Sequence, residues 1–265
     1  MRTLPFALSL VTTAAFAQLG APNPPAPGFQ RTWTLGLQRY DPSLSGHFQG
    51  VQDGQPIAVD LDADLGLGKD KVTPGFFVDY QGPRFAFQVS SGSSEYRGDR
   101  IVTRSFTVDG KTYTAGTRVQ SHVKLANVDG VWTIKFVRDT DTWLGFDLGV
   151  QAWTLDLDAN SVPTVGSPVA SSTRVTAPIP QVGLSGGSRG FNGAVEAKAY
   201  VHYLGYKSAK YTLYGADLRV FPVSWFGLRA FYESGSFDVP KGSIQDDLEV
   251  KLDRKGAGFG AVVRF

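Results

Sequence analysis

Three histidines, His47, His122 and His202, are the side chains best suited to move protons near neutral pH, and no cysteine accompanies them. The absence of Cys removes thiol nucleophiles, zinc-thiolate sites, iron–sulfur clusters and disulfide frameworks together. No Ser stands beside His122 or His202 at an interpretable spacing, and His47 falls in a polar connection, so the chain order offers no hydrolytic triad. Asp60, Asp62 and Asp64 share one face if residues 57–67 form a strand, and carboxylates so spaced could hold Ca²⁺. The EF-hand pattern fails there, because Gly66 comes one position late and Lys71 stands where the bidentate Glu belongs. A solvated acidic face is the simpler reading, with cation binding left open. Gly66–Asp70 lacks the Ser/Thr and the helix of a phosphate loop, and the glycines at 256, 258 and 260 fall in a strand pattern rather than a dinucleotide turn. No cofactor and no metal is expected.

The elements that would position these residues are strands. Across 265 residues, 26 Lys+Arg face 24 Asp+Glu, a balance too even for a phosphate-tracking nucleic-acid binder. Met1-Arg2, the apolar run from Leu4 to Ala17 and the small-x-small pattern Ala15-Phe16-Ala17 predict a signal peptide over 1–17. The run is too short to span a bilayer as a helix, rising only about 21 Å against a core of about 30 Å. Residues 18–30 read as a Pro-rich extended linker. Beyond them the hydrophobic period is two. Val195, Ala197, Ala199, Val201 and Tyr203 alternate with Glu196, Lys198, Tyr200 and His202. Leu144, Phe146, Leu148, Val150 and Ala152 alternate with Gly145, Asp147, Gly149 and Gln151 in the same way.

Such alternation fits a soluble sandwich as well as a barrel; the turns separate the two. Tight turns at 81–83, 138–141, 186–190 and 222–224 alternate with long polar connections at 41–72, 93–117, 158–176 and 238–247, with only Gly205–Ala209 short among them, the organisation of a transmembrane barrel. Tyr80, Phe85, Phe136, Trp143, Phe221, Trp225, Phe226 and Phe265 cluster beside the tight turns and are expected to form an interfacial girdle. The last strand, GAGFGAVVRF, sets Ala257, Phe259, Ala261, Val263 and Phe265 on one face and ends on Phe. In this it resembles the C-terminal signature of bacterial outer-membrane β-barrel proteins. The resemblance implies an outer-membrane location, lipid contact, and recognition of Phe259, Val263 and Phe265 by the barrel-assembly machinery.

The expected fold is all-β: a closed antiparallel transmembrane barrel over 31–265, with strands near 31–41, 73–81, 84–96, 118–137, 142–157, 178–186, 191–205, 209–221, 225–237 and 248–265. Ten strands return both ends to one side, although Ile57–Leu67 as an added strand leaves eight or twelve open. Ten residues at about 3.3 Å, tilted about 40°, rise roughly 25 Å, enough for the apolar band. A lumen of that size is filled by its side chains. It is expected to hold a mixed-sign network of Asp147, Glu196, Lys198, His202, Asp217, Arg219, Arg229 and Glu233, with Asp79, Asp129, Lys124, Lys135 and Arg254 alongside. Asp217 and Arg219 are expected to pair with Glu196, Lys198, Arg229 and Glu233. Residues 103–116, with Asp109-Gly110 at the tip, read as a small hairpin covering the barrel mouth. These readings favour a non-enzymatic barrel with a structural, binding or minor permeation role. The alternatives are a barrel enzyme acting on lipid or peptide through His202 or His122, and a secreted soluble barrel with an internal ligand.

Overall fold

The computed structural model describes residues 31–52, 55–108, 111–162, 168–206, 209–239 and 249–265. Residues 1–17, expected to be a signal peptide, residues 18–30, expected to be a linker, and the Asp109-Gly110 tip lie outside these residues. Fourteen strands form one antiparallel sheet: β1 (Thr32–Gln52), β2 (Gln55–Asp60), β3 (Gly68–Thr73), β4 (Gly75–Gln81), β5 (Phe85–Ile101), β6 (Phe106–Val108), β7 (Lys111–Tyr113), β8 (Arg118–Arg138), β9 (Thr142–Val162), β10 (Ala170–Gly190), β11 (Val195–Tyr206), β12 (Ala209–Val223), β13 (Phe226–Val239) and β14 (Val250–Arg264). Ten positions make the ring, since β3 and β4 run one after the other along β5 and count as one. β14 closes onto β1 from Phe48↔Val250 to Thr34↔Arg264. The ladder continues to the last residue, where Trp33 and Phe265 exchange backbone hydrogen bonds of 2.8 and 2.9 Å. No ring edge remains at the tight-turn end, as a wall facing hydrocarbon requires.

The segment 57–67 is not an extra ring strand. β2 folds back on β1, and 61–65 is a turn. Much of what reads as long loop is strand: β1, β8, β9 and β10 each run 21 residues, roughly 50 Å along the axis at about 40° tilt. The barrel is therefore about twice as tall as its apolar band. The turn expected at 186–190 falls instead at Phe191-Asn192-Gly193, with φ of 53°, 57° and 81°, so that β10 keeps pairing to Gly190↔Val195.

Each long strand changes polarity part-way up. On the lower half of β8 the outward residues are Val128, Trp132, Ile134 and Phe136, and the inward ones are Asp129, Thr133 and Lys135. On its upper half Val119, Val123 and Leu125 point in and are buried, while His122 and Lys124 point out. β5 and β9 follow suit, with Tyr96 and Ala159 inside and Glu95, Arg97, Asp156 and Asp158 outside. The lower half is a barrel turned inside out, apolar toward its surroundings; the upper half is an ordinary water-facing β-barrel.

The upper barrel has its own core. Val59 of β2 and Leu61, Leu65 and Leu67 of the β2–β3 connection, with Val102 just after β5 and Phe106 and Tyr113 of the β6–β7 hairpin, pack inside against Tyr96, Val119, Val123 and Leu125. Tyr113 donates to the Ala159 carbonyl at 3.0 Å, Tyr96 to the Pro42 carbonyl at 3.1 Å and Ser121 to the Leu65 carbonyl at 3.0 Å. The hairpin expected over the mouth thus lies within it, as part of a packed plug. One side of the collar is open at the backbone level. β10 pairs with β9 along its whole length, but with β11 only from Val182 onward. Pro178 and Pro180 stand where that second ladder ends, because a proline has no N–H to give.

Candidate functional site

The lower lumen is built by inward residues of eight strands, β1, β4 and β8 to β13. Asp217 on β12 is its hub: Arg229 Nε donates to Oδ2 at 2.6 Å, and Arg219 Nε to Oδ1 at 3.2 Å. Arg219 Nη1 reaches across to Asp79 on β4 at 2.5 Å. Arg229 also donates to Gln38 on β1. Phe77 lies against both guanidinium groups, 4.3 Å from Arg229 and 5.1 Å from Arg219 to the ring centre. Asp147 collects three donors, Thr133 Oγ1 at 2.6 Å, Ser185 Oγ at 2.7 Å and His202 Nε2 at 2.9 Å. Every buried charge here has partners, the condition under which ions are tolerated away from water.

Of the expected cross-strand pairs the structure forms Asp217 with Arg229; the contact between Asp217 and Arg219 lies within one strand and is not among them, and the other members lie elsewhere. Glu196 is bound by Arg189 at 2.9 Å and Arg264 at 3.0 Å and only approached by Arg219 at 3.9 Å. Lys198 donates to Gln88 at 2.9 Å, and Glu233 accepts from the Tyr200 hydroxyl at 2.5 Å. Arg189 and Arg264 join the network although the sequence does not mark them as lumen residues. Arg189 sits where a turn was expected, and Arg264 shares the inward parity of Val262 and Gly260. Lys124 does not belong to the lumen. It lies on the outer wall with His122, because the outward face above the apolar belt meets water.

Six girdle residues, Tyr80, Phe85, Phe136, Trp225, Phe226 and Phe265, lie on the outer wall or at its lower rim; Tyr80 packs on Trp33 at 4.9 Å between ring centres. Trp143 and Phe221 are corrections. They are 4% and 3% exposed and point into the lumen, since Leu144 and Val220 next to them take the outward positions. Glycines make room for both: a Cβ on Gly187 would stand 2.8 Å from Trp143 Nε1, and one on Gly227 2.7 Å from Phe221 Cδ1. Each ring then carries a cation, Lys135 at 4.9 Å from Trp143 and Arg264 at 3.8 Å from Phe221. Phe259 and Val263 are outward on β14.

Asp60, Asp62 and Asp64 do not share a strand face. The Asp60 carboxylate caps the 61–65 turn, accepting from the Asp62 and Ala63 N–H groups at 2.9 and 2.7 Å. Asp64 is ion-paired with Arg104. Burial pushes the Asp64 carboxyl up, but the Arg104 hydrogen bond and the Asp60 N–H outweigh it and hold the group below its ordinary value. Among the described residues no set of three His, Asp or Glu side chains is arranged to hold a metal.

Two histidines could do acid–base chemistry. The His202–Asp147 pair is a sound dyad, but both side chains are sealed in the lumen. His122 lies on the outer wall of the collar between two carboxylates, its Nε2 3.6 Å from Glu95 and its Nδ1 3.6 Å from Asp158. It borders an open hollow of about 450 Å³ lined by Arg97, Asp158, Asn160, Ala170 and Ser172. The third histidine, His47 on β1, is 3.8 Å from Glu249.

No protein-family model matches the chain, and no curated protein matches it in sequence. Solved structures do match in shape. The outer membrane protease OmpT from Escherichia coli is 9% identical, with a TM-score of 0.63 over 88% of this chain and 97% of that one. The translocator domain of the autotransporter NalP from Neisseria meningitidis is 10% identical, with a TM-score of 0.39 over 94% and 92%. At these identities the likeness concerns the backbone alone. A ring of ten antiparallel strands, apolar outside and charged inside over its lower half, gives this chain the fold of the bacterial outer-membrane β-barrel proteins.

Proposed function

We propose that this protein is a non-enzymatic barrel of the bacterial outer membrane that acts as a rigid support for its extracellular collar rather than as a pore. One observation carries the reading: the lumen is blocked at two heights, by the Asp217-centred ion pairs below and by the apolar plug above. A conducting path would have to break both. The outward belt and the terminal Phe support lipid contact and delivery by the barrel-assembly machinery. The same belt argues against the soluble carrier alternative. In planar bilayers the purified, heat-modifiable protein is expected to give no channel steps; stable steps of fixed size would overturn the sealed-lumen reading.

A second reading rests on His122. A histidine held between two carboxylates beside an open hollow is a workable general base, placed where it would meet lipid headgroups or peptides at the outer surface. Turnover of lipid A or of a peptide by wild-type protein, abolished in His122→Ala, would favour it. No turnover by the wild type would remove it.

A further inference from the structure

The turn that joins β10 to β11 holds an aromatic residue in a backbone conformation that works against it. Phe191, Asn192 and Gly193 follow one another with φ of 53°, 57° and 81°. Glycine adopts such angles freely and asparagine tolerates them, but a bulky L residue there is an outlier whose backbone cost has to be offset elsewhere. The surroundings hold the turn in this shape. The Ala194 N–H donates to the Phe191 carbonyl at 3.1 Å, Arg264 Nη1 to the Gly193 carbonyl at 2.9 Å, and the Arg189 N–H to the Asp141 carbonyl at 2.7 Å. None of these contacts uses the Phe191 side chain, which is 83% exposed. Glycine or asparagine would close the same turn with less strain, so the ring itself needs a reason.

The lower rim supplies one. Its outward aromatics run around the ring from Trp225 and Phe265 through Trp33 and Tyr80 to Phe85 and Phe136, and then stop. Over the next three strands none faces out at that end. Trp143 of β9 points into the lumen, the last outward residues of β10 are Leu184, Gly186 and Ser188, and β11 begins with Val195 and Ala197. Phe191 stands in this gap. Its depth agrees as well: the Phe221 N–H of β12 donates to the Ala194 carbonyl at 2.7 Å, so the 191–193 turn hangs below that row beside the next turn along the rim, which carries Trp225. We propose that Phe191 is a lipid anchor, its ring seated in the headgroup layer at the tight-turn end, where it completes the aromatic rim over β9 to β11. Aromatic rings favour that depth, and the strained turn keeps this one there. The inference rests on the membrane reading of the outward belt.

The chain has no cysteine, so one introduced at a chosen site takes a fluorophore there alone. The mature protein carrying labelled Phe191→Cys, refolded into phosphatidylcholine vesicles, is expected to be quenched by lipids with a headgroup nitroxide as strongly as labelled Phe136→Cys. It is expected to be shielded from aqueous iodide relative to labelled Thr140→Cys in the β8–β9 turn. A label at 191 that iodide quenches as it does at 140, and that the headgroup nitroxide leaves bright, would overturn the proposal. Labelled Leu148→Cys tells that failure from failure of the membrane reading. Quenching at 148 by a mid-chain nitroxide, with none at 191, rejects the anchor while the belt stays in lipid; no quenching at either site rejects both. The sign of a second measurement reads what the ring contributes. Phe191→Asn relieves the backbone, so without an anchoring role the urea midpoint in vesicles would rise. The anchor predicts a fall in Phe191→Asn and a wild-type midpoint in Phe191→Trp; an unchanged or raised midpoint in Phe191→Asn would reject it.

Discussion

Asp217 shows how far single residues were legible. Its inward position follows from period two, since Ala216 and Leu218 must face out, and a buried carboxylate beside Arg219 needs a cation. Which cation it takes is a matter of register between strands, and the chain order does not contain that. Arg229 sits diagonally across β13 and Asp79 on the far wall. The network predicts strong coupling. Asp217→Asn should cost about 3–5 kcal/mol, because it leaves the buried Arg229 without its carboxylate, and Arg229→Gln should cost less, because Arg219 still holds Asp217. The double variant should cost less than their sum, by about 1–3 kcal/mol. A double-mutant cycle of unfolding in detergent would read this, and additive losses would show that the two act independently. Trp143 and Phe221 carry the complementary lesson. Their types suggested an interface, but their parity, visible in the alternation beside them, had already assigned them to the lumen.

At the scale of elements, the ten ring strands were legible because each carries a clean apolar stripe over its lower half. Their upward extensions were not. Pro42, Gly46 and Gly50 in β1, and the Ser-rich start of β10, look like loop composition. They are held as strand by partners distant in the chain, as when Tyr96 of β5 bonds to the Pro42 carbonyl. The plug was half visible: the β6–β7 hairpin could be read from its turn, but its packing against the β2–β3 connection could not. That packing is locked by Asp64 and Arg104, which gives it a pH dependence. The Asp64 carboxyl lies below its ordinary 3.8 in the folded protein, so the bridge stabilises fully above that value and loses its contribution as pH falls through the lower, folded one. The hydrogen-exchange protection factors at Leu65 and Leu67, taken against the intrinsic rate at each pH, should therefore fall as the solution is acidified below about 4, while those in β12 and β13 stay high. In Arg104→Gln the same loss of protection should already be present at neutral pH; protection that does not depend on Arg104 would refute the link.

For the molecule as a whole, the two halves obey opposite rules, and substitutions should report the boundary between them. An arginine replacing Leu148, outward in the belt, should cost about 2–4 kcal/mol. One replacing Lys124, outward in the collar, should be close to neutral, and a lysine replacing the inward Val123 should be severely destabilising, since it buries an unpaired charge. Folding midpoints in lipid vesicles would rank the three. If Lys124→Arg and Leu148→Arg cost the same, the belt does not end where the outward residues turn polar. The switch of polarity along β8 also bears on mispairing. A slip of one residue against β9 would turn Lys135 and Asp129 into hydrocarbon and, in the same motion, Val123 into water and His122 into the core. The error is penalised at both ends at once, so this wall has a single tolerable alignment, and a chain that starts to zip wrongly is driven back before it can close.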